Sequence, residues 1–181
     1  MRFFLDPFGL IAASALPDAV KVSLILELSD ASGSRGMVAG QVLDMEGEHK
    51  QLTLAELQTI HANKTGRLLA YPFIAAGLML ELQADIAQLL EKIGKKLGLA
   101  FQVRDDILDL VADFEALGKT PQKDLVAEKS TYPALLGLEE SKALLTSELD
   151  ACEDLLNHIT SACDFDPRAI KKLIEGLRID G

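Results

Sequence analysis

Residues 101–109 read FQVRDDILD and place Gln102, Asp105, Asp106 and Asp109 in an otherwise apolar helical pattern. At 100° per residue these four side chains fall within an arc of roughly 100°. Asp105 and Asp109 are a like-charge pair at i,i+4, which costs an isolated helix a few tenths of a kcal/mol. One turn earlier the same face carries Glu91, Lys92 and Lys95, the mixed-sign set of a solvated surface. From 102 to 109 it carries acids only. Crowded carboxylates without cations suit a hard divalent ion: Mg²⁺ takes one or two carboxylates, keeps several waters, and completes its shell with phosphate oxygens. A plain wet face of an amphipathic helix is the competing reading, and spacing alone leaves both open.

Three basic stretches bear on that choice. Lys64 and Thr65 precede Gly66, Lys119 lies in GKTPQKD just after the acidic helix, and Lys129 precedes Ser130-Thr131-Tyr132-Pro133. Each lysine alone reads as a solvated surface group. Together with the aspartates they suggest a site that clamps a metal-bridged diphosphate between carboxylates and ammonium groups.

The elements that must hold these residues are helices. Of 181 residues 49% are apolar and 5% aromatic, with no Trp, and clusters of strand-favouring side chains are scarce, so the fold is expected to be all-α. A first helix is expected over residues 7–15, and Pro17-Asp18 opens a long second one with Leu24, Ile25, Leu28 and Ala31 on its buried side. Its continuation, ASGSRGMVAGQVLDM, has Gly33, Gly36 and Gly40, a spacing that marks close approach of another backbone or of a ligand. Thr53 and Glu56 form a capping box for a helix running to about Met79 despite Pro72. The acidic helix is expected from Leu82 to about Asp113, with Ile86, Leu89, Leu90, Ile93, Leu97, Phe101, Ile107, Leu108 and Val111 on its far, apolar side. Gly118–Asp124 reads as a loop, Ser130–Gly137 as a short helix, Glu139–Ala162 as a long one, and Pro167 opens the last. The sum is a bundle of seven or eight helices in one domain, residues 1–181.

The net charge of −10 argues against nucleic acid as a partner, since phosphate backbones need a basic stripe. It leaves small phosphate compounds open, because a metal ion inverts the local charge balance. Cys152 and Cys163 make no disulfide framework, and with His158 they are too few for a structural zinc site, so a cytoplasmic location is expected. The opening MRFFLDPFGLIAASALP has one arginine and is interrupted by Asp6-Pro7, so neither a signal peptide nor a membrane span is expected.

The blocks GMVAGQVLDM, HANKTGRLL, FQVRDDILD and GKTPQKDLVAEKSTYPALLGLE, in this order, resemble the trans-prenyl diphosphate synthases of the farnesyl and geranylgeranyl type, above all the bacterial farnesyl diphosphate synthases. The likeness runs from about Leu5 to the end. It implies the isoprenoid synthase helical bundle, Mg²⁺ as cofactor, and an allylic diphosphate and isopentenyl diphosphate as substrates of a head-to-tail condensation. It further implies that Gln41 and Asp44 line the allylic diphosphate pocket, that Lys64 and Thr65 contact that diphosphate and its reacting end, and that Phe101 and Gln102 wall the reaction centre. Asp105, Asp106 and Asp109 correspond to the family's second aspartate-rich motif, Asp105 being the first choice as direct Mg²⁺ ligand. Lys119 and Lys129 would hold diphosphate oxygens, and Asp124 would support the metal through water. Dimerisation through helices spanning residues 7–45 is expected on the same ground, as a homodimer.

The sequence also departs from that pattern. The family's first aspartate-rich motif, its arginine pair and its upstream Gly-Lys-Arg segment are absent, and the basic residues before residue 60 are Arg2, Lys21, Arg35 and Lys50. The expectation is therefore the C-terminal portion of such a bundle, truncated at its N-terminal side, with little or no condensation activity alone. Gln122 stands where bacterial relatives tend to have glycine.

Overall fold

The computed structural model describes residues 6–117 and 130–179, and the described residues form α-helices and one π-helical turn, with no strand. In chain order the helices are α1 (Asp6–Ala13), α2 (Asp18–Ser32), α3 (Met37–Gly47), α4 (Leu54–His61), α5 (Arg67–Met79), α6 (Ala84–Leu117), α7 (Tyr132–Leu136), α8 (Leu138–Ala162) and α9 (Arg168–Leu177). The π-turn Ala62–Gly66 joins α4 to α5, so the rod expected from Thr53 to Met79 is continuous and carries Pro72 inside it.

The rod starts at its capping box. The Glu56 N–H donates to Thr53 Oγ1 (3.3 Å), and the Thr53 N–H donates back to Glu56 Oε2 (2.8 Å). The backbone N–H of Thr53 and then its hydroxyl hold the Glu56 carboxyl below its ordinary range. A depressed folded pKa means that this contribution is present above the ordinary glutamate pKa and is lost as pH falls through the folded one. Amide shifts of residues 53–57 in an NMR pH series should therefore report fraying of the α4 start on acidification, and Thr53→Ala should lower Tm at neutral pH by about 2–4 °C.

One expected helix is two. The run from Pro17 to Met45 breaks at Gly33–Gly36, because a Cβ at Gly33 would collide with the Ser29 carbonyl oxygen and one at Gly36 with that of Ala31. The chain folds back on the end of α2 there, which only glycine allows, and α3 leaves in a new direction.

Helix α6 runs through the middle. Leu90, Ile93, Leu97, Ala100, Val103 and Ile107 are buried against Leu145, Leu149, Cys152, Leu156 and Ile159 of α8, with Ile170 and Ile174 of α9 closing the cluster. On its other side α6 crosses α5 and the π-turn with almost no side-chain spacer: a Cβ on Gly98 would sit 3.0 Å from Gly66 Cα, and one on Gly94 2.9 Å from Ala70 Cα. The apolar side of α6 is narrower than the helical wheel implies. Phe101, Leu108 and Val111 remain 39%, 38% and 36% exposed, because they lie on a flank that no described helix covers. Burial pushes the Cys152 thiol up to about 12, so it packs as a small apolar group; both cysteines are free.

Candidate functional site

The C-terminal part of α6 presents Asp105 and Asp109 to solvent, with Gln102 half-buried beside them. Neither exposed aspartate makes an ion pair or hydrogen bond among the described residues. Asp106 is used differently. Its Oδ2 accepts the Tyr132 N–H at 2.9 Å and so ties α6 to the first residue of α7.

The cationic side of the site comes from α3 and the π-turn. Gly40 of α3 lies against the backbone of Asn63 and Lys64; a Cβ there would be 2.7 Å from Asn63 C and closer still to Lys64 N. This contact seats α3 on the turn and brings Asp44 to Lys64, whose Nζ donates to Asp44 Oδ2 at 2.5 Å. Both partners keep more than a third of their side-chain surface open to water, so the pair is reachable from solvent. The π-turn coincides with Lys64-Thr65-Gly66, and an extra residue in a helical turn is a frequent mark of a functional position. Gln41, one turn before Asp44 on α3, is exposed, and Thr65 is half-buried.

His61 stands between the two sides. Burial lowers its pKa, Asp44 opposes that shift, Lys64 adds to it, and Asp105 opposes it again. Asp44, Lys64 and Asp105 therefore all lie within electrostatic reach of one imidazole. The His61 ring packs on Tyr132, centroids 5.5 Å apart and planes tilted by 52°. In the sequence His61 carries no signal beyond its place in HANKTGRLL and its i−3 spacing from Lys64, and Ser130 and Tyr132 stand only as the residues that follow Lys129. Lys119, Asp124, Lys129 and Gln122 lie outside the described residues.

A cleft of about 690 Å³ opens between α2, the π-turn with α5, and α6, with His61 in its wall and Asp30, Arg67, Glu91 and Lys95 among its charged lining. Asp30 holds Arg67 (2.8 Å) and Arg35 (2.6 Å), and Glu91 holds Lys95 (2.5 Å), so its charges are largely paired.

The donor set fits Mg²⁺. Asp105 and Asp109 are hard oxygen donors one turn apart, exposed, and free of competing cations among the described residues. Hard oxygen donors of this kind suit an ion that takes one or two carboxylates and fills its shell with water and phosphate oxygens.

A family model for polyprenyl synthetases matches residues 10–163. The chain belongs to the polyprenyl synthetase family. Over 170 residues it is 46% identical to the farnesyl diphosphate synthase of Micrococcus luteus, covering 94% of this chain and 58% of that protein. To the farnesyl diphosphate synthase of Escherichia coli it is 37% identical over 172 residues, 93% of this chain and 57% of the relative. Among solved structures, the geranyltransferase of Helicobacter pylori in complex with magnesium and isoprenyl diphosphate superposes with a TM-score of 0.78 at 30% identity, covering 94% of this chain and 56% of that one. The Legionella pneumophila geranyltransferase gives 0.76 at 28% identity. This polyprenyl synthetase chain thus spans little more than half the length of those relatives, and its all-helical bundle is an isoprenoid synthase fold.

Proposed function

We propose that this chain is the diphosphate- and Mg²⁺-binding part of a trans-prenyltransferase that condenses an allylic diphosphate with isopentenyl diphosphate. The observation that carries the reading is the Lys64–Asp44 pair and Asp105 within electrostatic reach of one imidazole, His61, with Asp109 exposed one turn beyond Asp105. Asp105 and Asp109 would hold the metal directly, with Asp106 behind them on Tyr132 and Asp124 in support through water. When bound, Mg²⁺ supplies Lewis-acid withdrawal of charge onto the departing diphosphate. The Lys64 ammonium, already poised on Asp44, would exchange part of that contact for diphosphate oxygens, with Thr65, Gln41, Lys119 and Lys129 as further donors. Fixed charges of this kind stabilise the developing anion without reorganising in the reaction. Phe101 and Gln102 would wall the reacting carbon from water, which otherwise quenches an allylic cation.

The domain reading belongs to the same proposal: residues 1–181 as one C-terminal portion of the bundle, in the cytoplasm. No described helix is long and apolar enough to cross a membrane. Homodimerisation is proposed through α1–α3, where Leu10, Val22, Leu26 and Met45 are 72%, 55%, 64% and 61% exposed. A strictly monomeric species in light scattering would count against it.

A second reading is a catalytically silent diphosphate-binding module built on the same Lys64–Asp44 pair and exposed aspartates. The purified chain, assayed with Mg²⁺, geranyl diphosphate and isopentenyl diphosphate, should give little or no condensation product, and robust product would overturn the silent reading. Calorimetry with Mg²⁺ and inorganic diphosphate should nevertheless show binding. Lys64→Ala should weaken it about 10- to 100-fold, the worth of one charge-assisted hydrogen bond; unchanged binding would remove Lys64 from the site.

A further inference from the structure

Three consecutive residues, Ser130 to Tyr132, touch both halves of the site. The Ser130 hydroxyl oxygen accepts the Leu52 backbone N–H at 3.1 Å, and its O–H donates to the Lys50 carbonyl at 3.3 Å. Both partners lie in the connection between α3, which carries Asp44, and α4, which leads to His61 and Lys64. That connection holds His49 at φ 63°, a left-handed conformation uncommon for a residue with a Cβ, so it gains from an outside tie. Two residues on, the Tyr132 N–H is held by Asp106 Oδ2, one residue from Asp105 on α6. The Tyr132 ring is fully buried against His61. Between them, Thr131 Oγ1 accepts the Ala134 N–H at 3.3 Å and fixes the direction in which α7 leaves. The segment thus bolts the α3–α4 connection to the acidic row of α6. A further tie between α6 and the π-turn is the Gly66–Gly98 crossing, on the α5 side of Lys64.

We propose that Ser130, with Tyr132, is a positioning residue: it holds the Lys64–Asp44 half of the site in register with Asp105 and Asp109. The inference rests on the Mg²⁺-diphosphate reading of the site and adds to it a residue that need touch neither metal nor diphosphate. Its physical content is geometric. A diphosphate spans both halves, so a small shift of one against the other lets it satisfy the lysine or the metal but not both, and misplacement of this kind is expensive.

The test is calorimetric titration of the full chain with Mg²⁺ and inorganic diphosphate, well below the melting temperature, with circular-dichroism melts alongside. Ser130→Ala is expected to keep its helicity and bind about fivefold more weakly, while Ser130→Thr, which keeps the hydroxyl, stays within about twofold of wild type. In a Lys64→Ala background the same Ser130→Ala change should cost less than about twofold, because one of the two halves to be aligned is then missing. Wild-type affinity in Ser130→Ala, an equal penalty in both backgrounds, no restoration by threonine, or a melt below the assay temperature would each overturn the proposal. If wild type binds no diphosphate at all, the reading of the site fails first and takes this inference with it.

Discussion

Asp105→Ala should weaken Mg²⁺-dependent diphosphate binding by about 100-fold or more while leaving Tm nearly unchanged. The two halves of that result have separate causes. Asp105 is exposed and makes no hydrogen bond or ion pair among the described residues, so its removal even relieves the i,i+4 repulsion with Asp109, worth a few tenths of a kcal/mol. In the proposed site its carboxylate is nevertheless a direct ligand of the cation, and losing a direct ligand costs more than losing a supporting group. Asp106→Ala is the informative contrast. It deletes a charge-assisted bond to the Tyr132 N–H and should cost about 1.5–3 kcal/mol of stability. Titration of both variants with Mg²⁺ and diphosphate, beside thermal melts, separates ligand from strut. An Asp105→Ala chain that binds like wild type would sink the metal assignment.

Gly40→Ala should lower stability by about 3 kcal/mol, a drop in Tm of about 6–12 °C for a chain of this size. The new methyl would meet the backbone of Lys64 and Asn63, and backbone cannot swing aside as the end of a side chain can. Relief requires α3 to lift off the π-turn, which also pulls Asp44 from Lys64. Diphosphate affinity should therefore fall with stability in this variant, whereas a core truncation such as Ile159→Val, far from the turn, should cost about 1 kcal/mol and leave affinity intact. A Gly40→Ala protein melting within a degree of wild type would show that the α3 contact is looser than described.

The helices were legible because their signals are local. Capping residues, prolines and the 3.6-residue apolar period act within a few residues of chain, and they marked the α4–α5 rod, α8 and the start of α9 to within about two residues. The same period over-reached twice. It carried α2 through Gly33–Gly36, where a fold-back against Ser29 and Ala31 decides, and it put Phe101, Leu108 and Val111 on a buried face that no described helix covers. Periodicity reports which side chains share a side of a helix and says nothing about what lies opposite.

The site divides along the same line. By itself the sequence determined the candidate residues: acids without cations on one helix face at 102–109, lysines in glycine-flanked stretches, and blocks in an order that resembles one family. Side-chain type and spacing along a helix suffice for that much. Tertiary structure decided the division of labour, sending Asp106 to the start of α7, leaving Asp105 and Asp109 to solvent, and setting His61 between Asp44, Lys64 and Asp105. The partners concerned are 20 residues apart for Lys64 and Asp44 and 26 for Asp106 and Tyr132, and no local rule relates residues at such separations. Which groups meet is fixed by how closely glycine-bearing helices cross, and that is a property of the packed bundle.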